Sequence, residues 1–304
     1  MTWFIILAVA YFLNAVAITA DRFLLTRQMP NPTVFAFFIS ALSLLAIVLV
    51  PFGFKWYSWD QIAIDLIAGA LFTFALFFMF KSIANIEASR STPFIGGLQP
   101  VIISILAWLF LGEILTGKIL IAFVLIIIGS VIISWQKNDH RASVKSKNSK
   151  RVGYETAIAA SILFAVAYTL NKYAFGQQDF ISAFVMSRVG AFLGALMLLI
   201  PAANRIEAIR EIKGAKKQTG WLFVGGQIAG ALSFILVNYA ISIATSVAVV
   251  NALQGLQYIF LLTIMIILGR KFPKLLDEKL TPKILTQKLI ATAFIIFGLF
   301  FLFI

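Results

Sequence analysis

The chain has 304 residues, of which 61% are hydrophobic and 12% charged, and its mean hydropathy is +0.98. Soluble domains carry about 45–50% apolar residues, so this composition excludes a water-soluble globular fold. The formal net charge is +13, there are no cysteines, and the one histidine, His140, lies in a polar stretch, which together exclude disulfides, thiolate metal sites and a thiol nucleophile.

Ten apolar stretches approach the roughly 20 helical residues that a bilayer crossing needs. They lie near 2–20, 33–54, 61–83, 90–111, 118–135, 154–175, 180–200, 220–242, 246–268 and 285–304. Backbone groups in lipid must be bonded internally, and long unbroken apolar runs choose helices over a closed barrel. The expected fold class is an all-α membrane protein with ten transmembrane helices. The first span has no basic leader and no small-residue cleavage site, so a removable signal peptide is not expected.

In chain order, the first span carries Asn14 half-way along and Asp21 near its end. Asp65 opens the third span, and the fourth carries Pro93, Gly96 and Gln99 ahead of Pro100. The segment 136–152, QKNDHRASVKSKNSKRV, has no apolar period and reads as a flexible linker. Glu155 stands near the start of the sixth span and Tyr168 further in. Arg188 lies about eight residues inside the seventh, roughly 12 Å from its end. The stretch 202–219 places Ile206, Ile209 and Ile212 among charges, the pattern of an interfacial helix. Asn238 and Tyr239 fall near the end of the eighth span, and Asn251, Gln254 and Gln257 recur every three residues in the ninth. The pairs Gly190/Gly194 and Gly226/Gly230 permit close helix approach, read as packing within one molecule.

Of the 25 Lys and Arg, 21 fall in odd-numbered loops, three (Lys55, Lys118, Lys172) in even-numbered loops, and Arg188 within a helix. That bias puts the odd loops and the linker in the cytoplasm and both termini outside. The basic charge is therefore a topology signal and a contact for anionic lipid heads, not a nucleic-acid surface.

Short phrases recur in register. AVAITADRF at 15–23 answers AVAYTLNKY at 165–173, AGAL at 68–71 answers 229–232, and GLQ at 97–99 answers 255–257. EILTGKIL at 113–120 is matched by EKLTPKIL at 278–285, after the eight-residue insertion RKFPKLLD. The chain thus divides into 1–135, a linker 136–152, and 153–304. Two units with an odd number of crossings must be inserted in opposite senses, which gives an inverted repeat. The string at 98–133, with Gln99-Pro100, Leu111-Gly112-Glu113 and Gly129, resembles helices four and five of EamA-type members of the drug/metabolite transporter superfamily. The resemblance implies a ten-helix secondary carrier with a cavity between the repeats, lined by helices one, three, four, six, eight and nine.

Arg188 suits either a structural pairing or recognition of an anionic group. The stripe Asn251, Gln254, Gln257 suits either helix–helix bonding or a wet cavity. Gln99, Asn14, Tyr168, Asn238 and Tyr239 complete the candidate substrate site. No nucleophile–base set, HExxH, P-loop or metal cluster occurs, so neither an enzyme, a metal site, a cofactor nor ATP-driven pumping is expected. The reading is a plasma-membrane carrier of small polar metabolites, amino acids leading, with export the family-level expectation and membrane lipids as its other partner. A lipid or lipid-linked-sugar translocase and a non-transporting receptor or assembly factor stay open.

Overall fold

A computed structural model describes residues 2–27, 31–86, 88–115, 117–134, 147–214, 217–257, 259–261, 263–264 and 282–303. Among them every regular element is helical. In order these are α1 (Thr2–Arg27), α2 (Pro32–Leu42) running into a 3-10 helix (Ser43–Phe52), α3 (Trp59–Asn85), α4 (Ala88–Leu111) and α5 (Gly117–Ser134). The second half holds α6 (Lys147–Gln177), α7 (Phe180–Leu198), α8 (Ala202–Gly214), α9 (Lys217–Ile243), α10 (Val247–Ala252) and α11 (Pro282–Phe303).

Seven segments are long and apolar enough to cross a membrane: Thr2–Ala20, Pro32–Phe52, Trp59–Asn85, Phe94–Leu111, Asn148–Gln177, Phe180–Leu198 and Val224–Ile243. Shorter apolar helical segments, Gly117–Gly129, Val247–Leu261 and Leu289–Gly298, fall where the sequence places the fifth, ninth and tenth spans. Of the ten expected crossings, seven therefore meet the length requirement among the described residues.

Polar caps set several boundaries. Asn31 Oδ1 accepts from Thr33 N (2.9 Å) and Val34 N (3.3 Å), with Pro32 opening α2. Asp179 Oδ2 accepts from Ser182 N (2.9 Å) to start α7, and Tyr57 Oη donates to its Oδ1 (2.9 Å). Burial alone would push the Asp179 carboxyl up, but these hydrogen bonds and the charge of Lys55 hold it below its ordinary value. The linker departs from expectation at one end, because residues 147–152 already belong to α6. Ser149 Oγ reaches Asn85 O (3.2 Å), and Arg151 pairs with Glu155 one turn on (2.7 Å). Residues 136–146 with His140, and the inserted residues 270–277, lie outside the described residues. So do the side chains of Asp21, Pro93 and Ile212. α8 is helical as expected, with Ile206 and Ile209 exposed.

α3 sits between α6 and α7, α1 packs on α9, α5 on α11, and α4 on α6 and α10. Small residues let backbones touch. A Cβ on Gly69 would stand 1.8 Å from Ser187 O, and one on Gly190 2.2 Å from Leu66 O. Gly190→Val is accordingly expected to unseat α7 from α3 and abolish the monodisperse peak of detergent-purified protein in size-exclusion chromatography. Gly225→Ala, where a Cβ meets nothing within 4 Å, should keep that peak. Gly226 and Gly230 face Ala20 and Ala17 of α1, so both glycine pairs pack within the molecule as expected.

The interior divides into two apolar clusters. One joins α1, α4, α5, α9 and α10 around Leu7, Ile103, Ile126, Ile241 and Leu253. The other joins α2, α3, α6 and α7 around Phe35, Phe72, Phe80 and Phe164. Tyr168 packs against both. The outer surface is apolar, with Ile5, Trp108 and Phe110 more than half exposed, as lipid contact requires.

Candidate functional site

The ninth apolar segment does not run as one helix. Ser246 caps α10, and the main-chain bond of α-type spacing that closes it is Leu253 N to Val249 O (3.1 Å). Next come three-residue steps: Gln254 N to Asn251 O (3.1 Å), Leu256 N to Leu253 O (2.9 Å) and Gln257 N to Gln254 O (3.0 Å). The Val250 carbonyl thus loses its α-helical donor, Gln254 N. Tyr11 Oη of α1 donates to that carbonyl instead, at 2.8 Å. A broken helix inside a membrane protein is tolerated where its freed groups are satisfied by protein or line a cavity.

Two of the three amides on this segment point inward beside the break. Gln99 Nε2 of α4 donates to Asn251 Oδ1 (3.1 Å), and Asn251 Nδ2 donates to Val247 O (3.0 Å). Asn14 Nδ2 of α1 donates to Gln257 Oε1 (2.6 Å). Gln257 is completely buried, and its Nε2 has no partner among the described residues. An unused buried donor is costly, about 1–3 kcal/mol, and so marks a position that a ligand acceptor would satisfy. Gln254 falls in the turn and is partly exposed, so the continuous stripe expected from the three-residue spacing is interrupted at its middle member.

A second polar group lies between α3, α6, α7 and α9. Arg188 is 4% exposed, and its guanidinium carbon stands 4.3 Å from the Phe234 ring centre, 5.1 Å from Phe72 and 5.4 Å from Phe184. Nη2 donates to Ser187 Oγ (2.8 Å), while Nε has no partner and no carboxylate pairs with Arg188 among the described residues. The three rings supply cation–π attraction, about 0.5–2 kcal/mol each, in place of a counter-ion. The structural pairing left open above is therefore aromatic, not ionic. Tyr168 stacks on Phe164 and meets Phe72 edge-on at 6.2 Å. Asn238, one turn after Phe234, is completely buried and donates to Phe234 O (2.9 Å). Asn171 of α6 reaches it at 3.4 Å.

Tyr239 does not join this group. It is 40% exposed and meets Phe180 edge-on at 5.3 Å, because consecutive helical residues project about 100° apart and Asn238 takes the inward direction. Sequence reasoning missed Tyr11, Asn171 and the three phenylalanines. It placed Asp65 near a helix start, as observed, but not its burial. Asp65 is 0% exposed, Gln178 Nε2 donates to its Oδ2 (3.0 Å), and Oδ1 has no partner among the described residues.

The candidate site thus comprises an amide network at a helix break and a ring-covered arginine, with Tyr168 packed against both apolar clusters. It holds no metal-binding group of three or more acidic or histidine residues among the described ones. It can accept and donate hydrogen bonds and stack, which is recognition rather than bond-making. The family described as sugar transport protein has a model that matches residues 26–302. The chain belongs to this sugar-transport family. It is a multi-pass membrane protein. A 141-residue stretch is 31% identical to the glucose uptake protein GlcU of Staphylococcus xylosus, covering 45% of this chain and 48% of that protein. The match thus spans about half of that relative's length. A crystal structure of a protein that is 15% identical shares the fold, with a TM-score of 0.65 over 98% of this chain and 94% of the other.

Proposed function

We propose that this member of the sugar-transport family is a secondary carrier of a neutral monosaccharide, bound at the broken ninth segment and moved by alternating access. The observation that carries the reading is the neutral amide network Asn14–Gln257 and Gln99–Asn251, with one donor of Gln257 unused. Sugar hydroxyls both donate and accept, and side-chain amides do the same with no charge to desolvate. The Tyr168 ring, packed against both apolar clusters, suits the C–H face of a pyranose. The amino-acid expectation rested on the amide and tyrosine groups together with Arg188, the one group suited to a carboxylate. Three rings crowd that guanidinium, which favours one in-plane hydrogen bond over a bidentate clamp. The glucose uptake relative likewise favours a sugar and inward movement over amino-acid export.

Ten helices as two inverted repeats remain the proposed architecture, in keeping with the EamA-type resemblance. Two observations support it. The sequence equates α1 with α6 and α3 with α9, and the contacts α1–α9 and α3–α6 are then one contact made twice. A Cβ on Gly129 would meet Ile295 and Ala291 O at 2.7 and 2.8 Å, and one on Gly298 would meet Ile126 and Ala122 O at 2.6 and 2.9 Å. Each glycine faces residues three and seven before the other, the reciprocity of a two-fold axis. With both termini outside, the turns α4–α5 and α9–α10 face the exterior.

Ligand-induced stabilisation tests the substrate class. A ligand at about 100 times its Kd adds about 2.7 kcal/mol to the folded state, enough to shift Tm by several degrees. Such a shift is expected with D-glucose or another hexose and not with an amino-acid panel. The reverse pattern would replace the sugar reading by the amino-acid one.

A further inference from the structure

The face of the molecule that carries the start of α1 holds a cavity of about 160 Å³ between that helix, the α4–α5 turn and the α9–α10 turn. Trp3, Glu113, Leu115, Ile119, Thr245 and Ser246 are among its walls. An empty volume of about 150 Å³ accommodates a six-membered ring such as benzene. Glu113 is held in place by its turn. Gly112 adopts φ +67°, a conformation that a side-chain-bearing residue rarely takes, and Glu113 N donates back to Ala107 O (3.1 Å). Val247 N donates to Glu113 Oε2 (3.1 Å) and more weakly to Oε1 (3.4 Å), which fixes the carboxylate beside the start of α10. Two carboxylate oxygens offer about four lone-pair sites, so acceptor capacity is left over.

The charge balance indicates what such a cavity takes. Lys172 Nζ donates to Ile241 O (2.9 Å) and Ala244 O (2.5 Å), at the end of α9. Its charge acts on Glu113 and, with hydrogen bonds from Ser246 and Val247, opposes the burial that pushes the Glu113 carboxyl above its ordinary value. Glu113 is the charged residue among the described walls, and the Lys172 ammonium, bonded to Ala244 O of the same wall, offsets it, which disfavours a cation as the occupant. An indole in the wall, a fixed acceptor and the hydroxyl of Thr245 are complementary to a pyranose. The cavity also adjoins the amide network: Ser246 and Asn251 are five residues apart on α10, about 7.5 Å along the helix.

We infer that this cavity is a second, outer subsite for the transported monosaccharide, with Trp3 as the stacking platform and Glu113 as the hydroxyl acceptor. The inference rests on the sugar reading of the central site, and is tested apart from it. The chain has no cysteine, so Thr245→Cys places a single thiol in the cavity wall. In the full-length protein in nanodiscs, D-glucose is expected to slow maleimide labelling of that thiol about five-fold, and adding Trp3→Ala to remove the protection. Protection should persist with Gln257→Leu, which disables the central site. Protection that vanishes with Gln257→Leu would show that the cavity only closes in response to central binding, and would overturn the subsite. Hexose counterflow without protection would likewise overturn it and leave the carrier reading standing. Protection without counterflow would uphold hexose binding in this cavity and sink the carrier reading instead.

Discussion

Gln257→Leu is expected to reduce substrate counterflow at least about ten-fold while leaving a folded, monodisperse protein. The side chain is completely buried, accepts from Asn14 Nδ2 at 2.6 Å and carries an Nε2 with no partner among the described residues. Leucine removes both functions and keeps a similar bulk. Losing the single Nε2 hydrogen bond leaves a sugar hydroxyl unpaired in a buried site, which costs about 1–3 kcal/mol, a ten-fold or greater loss over most of that range. The same change leaves Asn14 Nδ2 unpaired, so a modest fall in Tm accompanies it. Asn14→Leu combined with Gln257→Leu separates the two effects. The double variant should regain thermal stability, since both polar partners are gone, and should not regain transport. Near-normal counterflow in Gln257→Leu would remove the helix break from the binding site.

Arg188→Met should lower counterflow by at least about ten-fold with Tm unchanged or raised. A buried charge without a carboxylate partner is expensive in a membrane span, and replacing buried ionic groups by apolar ones of similar volume is often neutral or stabilising. Methionine fills the space among Phe72, Phe184 and Phe234 and can touch all three rings. A purely structural arginine would behave in the opposite way, because losing its cation–π contacts would lower Tm and transport together. Arg188→Lys is the companion variant. Its ammonium keeps the charge but lacks the planar group that lies among the rings, so it is expected not to restore transport. Thermal unfolding and counterflow measured on the same preparations distinguish the cases.

Much of the helical frame was legible because hydrocarbon and charge segregate along this chain. The apolar runs and their polar ends located α3, α7 and α9 to within a few residues. Long-range pairing was not legible. Asn14 and Gln257 are 243 positions apart, and nothing local to either residue specifies the other. The break after Ala252 hides for a different reason. NALQGLQ keeps a helix-compatible spacing, and the three-residue main-chain steps and the Tyr11 hydroxyl against Val250 O show where the backbone is released. Asp65 lies six residues into α3, which suggests a helix end at the interface. Its burial was not legible, because the partner that donates to it, Gln178 just past the end of α6, lies 113 positions away. The rings around Arg188 are three of 30 phenylalanines, and helix packing alone selects them. Asn238 and Tyr239 show the limit of reading position without direction: they are neighbours in sequence, but one is buried and the other faces outward.

The central claim is carriage of a monosaccharide, and counterflow in proteoliposomes tests it most directly. Vesicles loaded with unlabelled D-glucose should transiently accumulate labelled D-glucose above equilibrium, with labelled amino acids giving no such overshoot. The overshoot should vanish in Gln257→Leu. An overshoot with amino acids and none with any hexose, from the same folded preparation, would contradict the account.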